Sequence, residues 1–533
     1  MSLSEIVKQE CPVCKKVAVE KESVNFGNKK LIKLVCGHMI SFESLISIDE
    51  SVYESIIFSD GKRPRPYQIE GMKFVEEAGF NCIIADEQGL GKTIEIGCLL
   101  KLHPEELLPC VITCPTTVKR QWLTELMRIC CPNGTQEERK KYLTQVIQSG
   151  KEKAIPGFQI YIVTFDMLKK EDLFEYVPDI KLIVVDECQR IKNHLSDRAK
   201  AVQKIAKKCE YHIPMSGTII LNNSGEAFTI LNLVKPTRFP QYQRYLETYC
   251  DIYESAWGYK VGGLKDRERF HEDTRDILIR RTKDQVLKDL PAKDRKFYHV
   301  DLDPRFNKAY GKALEELDEL FYDDDMSAFE KGSSTIAIMS KLRHITGLSK
   351  VEECIDFTTE FLLSTQRKIT IFSHHKDVAD LLVMKLNEYL EPIGLEKVIH
   401  LSAELDGNGR ANAVEKFKTN DKCRVMVAST LAAGEGINLQ FCSDAIMLER
   451  QWNPGKEVQA EDRFHRFGQL NPVSITYIIA IGTIDEYFTE LVEQKRAIVS
   501  ATIDNVDIEW QEQNLMKELT TMLLTKGRER WRL

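Results

Sequence analysis

No stretch of this chain stays apolar for the ~18 residues that a membrane-crossing helix needs, and the expectation is a protein without a membrane partner. The opening residues, MSLSEIVKQE, lack the basic segment followed by an apolar one that marks a secretory signal. Solenoid-type repeats and low-complexity tracts are missing as well, so neither a repeat array nor a biased tail accounts for the length. Basic charge is not in excess: 74 lysines and arginines face 81 acids, a net of −7. That balance excludes indiscriminate nucleic-acid binding over the whole surface but leaves room for a local basic groove. The local basic stretches, Lys62 to Arg65, Lys119-Arg120, Arg280 to Lys283 and the terminal KGRERWRL, are each read as solvated faces.

What is present is globular. With 43% hydrophobic and 29% charged residues over 533 positions, core is ample, and the length suits roughly three to four domains. The 15 cysteines have no signal to take them to an oxidising compartment, so they are expected as buried small residues or metal ligands in a reducing one. The expected location is cytoplasmic or nucleoid-associated, or nuclear in a eukaryote.

One cysteine cluster has metal spacing. Cys11-Pro-Val-Cys14 and Cys36-Gly-His38 flank two short alternating segments, Val17 to Val24 and Lys30 to Val35, joined by the turn residues Asn25-Phe-Gly-Asn28. The pattern predicts a hairpin with a knuckle at each end, and so small a unit needs a metal to fold. Three thiolates and an imidazole suit structural Zn²⁺; a redox pair at CPVC is the other reading.

Two further stretches describe a nucleoside triphosphate site. In ADEQGLGKT, Gly89, Gly91, Lys92 and Thr93 follow the apolar run Cys82 to Ala85, as a phosphate loop must leave a buried strand and enter a helix. Glycines let backbone N–H groups close on phosphate oxygens, Lys92 supplies a cation and Thr93 a hydroxyl for Mg²⁺. The loop is imperfect, because the strict GxxxxGK[ST] pattern needs a glycine where Asp86 stands. In IVVDECQRI, an apolar strand delivers Asp186 and Glu187 to the carboxyl edge of a sheet, Asp186 for Mg²⁺ and Glu187 to orient an attacking water. Acids also cap strand ends, so this pair counts through its company.

Around these motifs the chain alternates strands and helices. Strands are expected at Asn81 to Ala85, Cys110 to Thr113, Gln159 to Thr164, Leu182 to Val185 and Tyr211 to Met215. A second series is expected near Ile369 to Phe372, Val398 to Leu401, Arg424 to Ala428, Ala445 to Leu448 and Ser474 to Ala480. The fold class is therefore α/β, with parallel sheets in two halves. Between them, 236 to 300 is rich in Tyr, Phe and Arg and reads as a bridge, with Pro291 as a boundary. The second half has no phosphate loop but carries Arg463 and Arg466, three residues apart, which on a helix places both guanidinium groups on one face. Ile508 to Leu533 reads as an amphipathic helix bracing the halves.

Taken together, RPYQIEGMKF, DEQGLGKT, TCPTTVKRQW, IVTFDML, VVDECQRIKN, MSGTIILNN, IRRTKDQVLKDLPAK, KITIFSHH, STLAAGEGINL and QAEDRFHRFGQ resemble, in order, the segments of SWI/SNF-type translocases of helicase superfamily two. The stretch LNLVKPTRFPQYQRYLETYCD with WGYKVGGLKD looks most similar to the annealing-helicase branch. The resemblance implies two RecA-like lobes, at 58–290 with the bridging insert and at 295–505, preceded by the zinc ribbon-like module at 1–50 and followed by a brace helix at 506–533. It implies a DNA-dependent ATPase that translocates on double-stranded or forked DNA. A protein partner would be met through the zinc module or the C-terminal helix.

By the same resemblance, Gln68 reads adenine and Arg463 and Arg466 are arginine fingers. Gly434 and Gly436 lie where nucleotide couples to DNA, Ser216, Gly217 and Thr218 link hydrolysis to lobe movement, and Thr116, Lys119 and Thr430 face phosphates of the tracked strand. Three positions depart from the family pattern: Gln189 stands for His, Ile219 for Pro, and Glu435 for a neutral residue. They bear on coupling, not on the groups that hydrolysis requires. A strand-separating DNA or RNA helicase, or a nucleotide-gated DNA scaffold, are the rival readings. HRFGQ lacks the further arginine-rich extension usual in RNA-unwinding relatives, and the intact Glu187 and Arg466 disfavour a scaffold.

The zinc reading has a direct test. A Cys11→Ser plus Cys14→Ser variant is expected to lose one zinc by elemental analysis, keep most basal ATP hydrolysis and bind its DNA or partner less well. Wild-type protein without stoichiometric metal would overturn it.

Overall fold

The computed structural model describes residues 20–26, 29–34, 39–43, 50–170, 172–177, 179–217, 224–255, 258–322, 328–402, 404–405, 407–429, 437–451, 454–501 and 518–527. The expected zinc ligands Cys11, Cys14, Cys36 and His38 lie outside the described residues, as do Thr218, Ile219, Thr430, Gly434, Glu435 and Gly436.

Near the N-terminus, β1 (Glu20–Phe26) and β2 (Lys29–Leu34) pair antiparallel with Phe26 opposite Lys29, and β3 (Met39–Glu43) adds to β2. Phe26 and Lys29 thus stand at the expected hairpin end, and Cys36 and His38 fall in sequence between β2 and β3. The chain divides into two compact units, the first mainly of residues up to Arg281 and the second mainly from Thr282 onward.

The first unit is built on a seven-stranded sheet, and every ladder pairing in it is parallel. Its strands are β4 (Ile83–Ile84), β5 (Cys110–Cys114), β6 (Thr144–Val146), β7 (Ile160–Thr164), β8 (Leu182–Asp186), β9 (Tyr211–Met215) and, after a hairpin of β10 (Cys250–Ser255) and β11 (Gly258–Leu264), β12 (Leu278–Ile279). The order is β12-β4-β9-β8-β5-β7-β6. β5 and β7 are buried at every position, which is why they read as continuous apolar runs rather than alternating ones: helices cover both faces of a parallel sheet. Trp122, Leu126 and Ile129 on the helix Lys119–Cys130 join Ile84, Ile112 and Val184 in the core. The short edge strands β6 and β12 carried no periodic signal.

The aromatic insert packs on itself within this unit. Tyr245 and Tyr249 have ring centroids 5.1 Å apart, Tyr249 and Phe270 5.8 Å, and the Tyr245 hydroxyl donates to the Ser224 carbonyl at 2.9 Å.

The second unit has a six-stranded parallel sheet of β13 (Lys293–Val300), β14 (Ile369–Ser373), β15 (Ile399–Leu401), β16 (Val425–Ser429), β17 (Asp444–Met447) and β18 (Val473–Ala480), in the order β13-β18-β17-β14-β16-β15. Only β13 was not foreseen; its side chains are largely exposed or half-buried, so it has no apolar run to announce it. The helices Pro304–Tyr322, Ala328–Ser349 and Ile484–Ala501 share an apolar cluster into which Leu519, Leu523 and Leu524 of the C-terminal segment pack. Lys350, almost fully buried, ties helix to sheet: its ammonium donates to the Ile478 carbonyl at 2.9 Å and pairs with Asp485 at 2.5 Å. Among the described residues no helix is long and apolar enough to cross a membrane.

Candidate nucleotide site and its framework

β4 ends at Ile84, and the chain turns through Gly89 (φ +92°) and Gly91 (φ +89°) into the helix Lys92–Leu102. Both glycines hold left-handed backbone that a side chain would strain. At Gly91 a Cβ would also overlap the carboxamide of Gln68. Gln68 is buried on the helix Pro66–Glu77, its Oε1 accepting from Arg65 N at 3.0 Å, so it lies directly against the loop. Thr93 is in the first turn after the loop, and the Lys92 ammonium donates to the carbonyls of Asp86 at 2.5 Å and Glu87 at 3.4 Å.

Asp86 fills the place of the missing glycine without positive φ. It is fully buried and answered by Arg281, whose backbone N–H donates to Oδ1 at 2.9 Å and whose Nε lies 3.1 Å from both carboxylate oxygens. Arg281 also bonds Glu95 at 2.9 Å and the Tyr67 carbonyl. Burial first, and then the Asp86 charge, push the Glu95 carboxyl well above its ordinary range, while Arg281 and Lys92 pull it down. The Arg280 to Lys283 stretch is therefore not a solvated face. Arg281 and Lys283 are both buried, and the signal available in the sequence was the misfit aspartate, which demands a cation.

The acid pair sits at the end of β8. Trp122 donates its indole N–H to Asp186 Oδ2 at 2.8 Å, fixing the carboxylate. Burial and then the Glu187 charge raise the Asp186 pKa, while Trp122 and Lys92 pull it down. Glu187 has φ +54°, ψ +52°, a conformation rare outside glycine that costs of order 1–3 kcal/mol and collects at functional sites. Its Oε2 accepts from Gln189 Nε2 at 2.6 Å, and Gln189 Oε1 accepts from the Ser216 hydroxyl at 2.7 Å. Ser216 N in turn donates to the Ile84 carbonyl of β4 at 3.1 Å. Since β9 lies between β4 and β8 in the sheet, the loop, the acids and Ser216 leave the carboxyl ends of three adjacent strands. Gln189, a departure in sequence, is here a bridge between Glu187 and Ser216.

In the second unit the expectation for the arginines needs correcting. The helix Pro454–Glu461 stops before them, and Arg463 and Arg466 lie in the turns that follow, both half-buried. They are not held on one helical face but by a frame of buried ions. Glu461 accepts from Arg295 at 2.8 and 2.6 Å, from Lys293 at 3.0 Å and from the Tyr477 hydroxyl at 2.7 Å. Asp462 pairs with Lys283 at 2.9 Å, and the His465 ring bonds the Pro291 carbonyl at 2.8 Å. Phe464 and His465, between the arginines, are buried, and the arginines themselves are half-buried.

Of the residues expected at DNA, Thr116 is exposed just beyond β5. Lys119 is turned inward: its ammonium donates to the Ile147 carbonyl at 3.0 Å and Gln148 Oε1 at 3.4 Å, and burial lowers its pKa.

Residues 67–349 match the model of the SNF2-related domain, and 349–468 that of the helicase conserved C-terminal domain. Among curated relatives, the chain is 29% identical over 440 residues to the Xenopus laevis SWI/SNF-related matrix-associated actin-dependent regulator of chromatin subfamily A-like protein 1, covering 81% of this chain and 43% of that protein. It is 26% identical over 447 residues to the Mus musculus DNA annealing helicase and endonuclease ZRANB3, covering 82% of this chain and 40% of that one. The chain thus spans less than half the length of these relatives. A solved Sulfolobus solfataricus SWI2/SNF2 ATPase core in complex with dsDNA aligns with 88% of this chain and 97% of its own, at 24% identity and a TM-score of 0.39.

The Gln189 bridge yields a prediction. Gln189→Leu removes both side-chain hydrogen bonds, so kcat for ATP should fall roughly tenfold or more, in line with a loss of about 1–3 kcal/mol per unsatisfied buried group, while KM moves little. Gln189→His should retain more turnover than Gln189→Leu; equal kcat in all three, measured by steady-state phosphate release, would show that the bridge is idle.

Proposed function

Since this chain belongs to the SNF2-related family, whose domain model spans more than half of it, we propose that it is an ATP-driven translocase on double-stranded DNA. The observation that carries this reading is the meeting of the phosphate loop, the acid pair and Ser216 at the carboxyl ends of three adjacent parallel strands, the usual place for a nucleotide in such sheets. Gln68 recognises the base, and the loop N–H groups with Lys92 take the phosphates. The donor set fits Mg²⁺: a hydroxyl at Thr93 and a carboxylate at Asp186 whose other role, accepting from Trp122, occupies one oxygen. When bound, the ion neutralises phosphate charge. Glu187, with Gln189 behind it, orients the attacking water, and Arg463 and Arg466 answer the charge that develops on the γ-phosphate.

The finer parts of the reading are DNA contacts through Thr116 and Thr430, coupling through Gly434 and Gly436, and a structural Zn²⁺ on Cys11, Cys14, Cys36 and His38. The ribbon then steers the motor to its substrate or partner without entering catalysis. Support for forked or annealing substrates comes from the likeness to a relative named as an annealing helicase.

Lys92 and Glu187 belong to one unit and the arginines to the other, so hydrolysis should be weak alone and rise strongly when duplex DNA engages both. Arg466→Ala should keep ATP binding and lose turnover by ~10³ to 10⁵, the usual worth of an arginine finger. Equal phosphate release with and without DNA, or an unaffected Arg466→Ala enzyme, would sink the proposal. On DNA itself, the protein should displace a triplex-forming strand or regress a fork and leave a blunt duplex intact. Efficient ATP-driven unwinding of plain duplex, without triplex displacement, would favour a strand-separating helicase.

A further inference from the structure

The first unit ends in a strand laced to the one that feeds the phosphate loop. β12 runs parallel to β4, and three amides donate across in turn: Ile83 N to Ile277 O at 2.7 Å, Ala85 N to Ile279 O at 2.8 Å and Glu87 N to Arg281 O at 2.9 Å. The third of these lies beyond β4, in the loop itself. Side chains extend the lacing. Arg280 Nη1 reaches the Gly217 carbonyl at 3.4 Å, and Arg281 holds the Asp86 carboxylate, Glu95 and the Tyr67 carbonyl. One guanidinium therefore touches the helix of Gln68, the first residue of the loop and the helix that begins at Lys92.

The Lys92 ammonium rests on the carbonyls of Asp86 and Glu87. These are the two residues that Arg281 grips, Asp86 by its side chain and Glu87 by its main chain. A phosphate that draws Lys92 off those carbonyls must act on the residues that Arg281 holds. The next residue, Thr282, opens the second unit and caps a short helix, Lys283–Val286.

We propose that Arg281 is a positioning residue that both shapes the phosphate loop and carries its occupancy into the connection that begins at Thr282. The proposal rests on the ATP reading above. Asp86 is then no defect in the loop motif. A glycine there would leave Arg281 only Glu95 and the Tyr67 carbonyl, and the loop would lose its side-chain tie to the connection.

The test uses the full chain as wild type, Arg281→Gln and the double variant Asp86→Asn with Arg281→Gln. The double variant leaves no unpaired charge on residue 86 and keeps the test open where the single variant fails to fold. Steady-state ATPase is measured with saturating duplex DNA, and hydrogen exchange of residues 282–291 is followed with and without a non-hydrolysable ATP analogue. Val286 N and Leu287 N donate to the Thr282 and Lys283 carbonyls, so the segment has amides whose protection can report. In wild type the analogue should change their exchange. In the variants the analogue should still bind at higher concentration, the exchange change should vanish at saturation, and kcat should fall roughly 10²-fold, the cost of about 1 Å of misplacement.

A folded variant with the wild-type exchange response at saturation overturns the proposal and leaves the ATP reading standing. So does a wild type that binds the analogue with no response in 282–291, or a folded double variant that no longer binds it. A wild type that binds no nucleotide overturns both.

Discussion

A fully buried aspartate must be answered by a cation, and in this chain the answer to Asp86 comes from Arg281, 195 residues further along. Breaking such a pair by removing one partner costs about 3–5 kcal/mol, because the other charge stays buried and unpaired. Against a net stability of roughly 5–15 kcal/mol for a domain, that single contact fixes where the last strand of the first unit can lie. Once it is in place, β12 can run beside β4, and the loop starts from a tethered residue.

The same physics recurs in the second unit. Glu461 is fully buried and meets Arg295, Lys293 and Tyr477, while Asp462 meets Lys283. These pairs contribute little net stability once desolvation is counted, but they specify orientation. They hold the turn after Glu461, in which Arg463 and Arg466 stand half-buried. In each unit, buried charge does not itself perform chemistry; it aims the residues that can.

The Glu187–Gln189–Ser216 chain is the lighter counterpart of these clamps. It is neutral at Gln189, hydrogen-bonded at 2.6 and 2.7 Å, and joins a strained acid to the strand next to the loop. A glutamine serves because the position needs one donor and one acceptor at the end of a flexible arm, and a carboxamide has both.

The sequence by itself determined the parallel α/β halves, because strands covered on both faces must be apolar throughout and cannot hide, as at β5 and β7. It also placed Gly89, Gly91, Lys92 and Thr93 between a strand and a helix and Asp186 and Glu187 at a strand end, because those patterns are local and therefore readable, whereas Gln68 came only through the family resemblance. Hidden were β6, β12 and β13, which are short or polar edge strands, and every partner drawn from far along the chain: Trp122 for Asp186, Arg281 for Asp86, Arg295 for Glu461. Only the tertiary structure decided those, since an arginine in a basic run looks the same whether it meets water or a buried carboxylate. It likewise ended a helix at Glu461 where residue spacing continued one through Arg466, because the buried ion pairs at Glu461 and Asp462 outweigh the few tenths of a kcal/mol per residue that helix propensity offers.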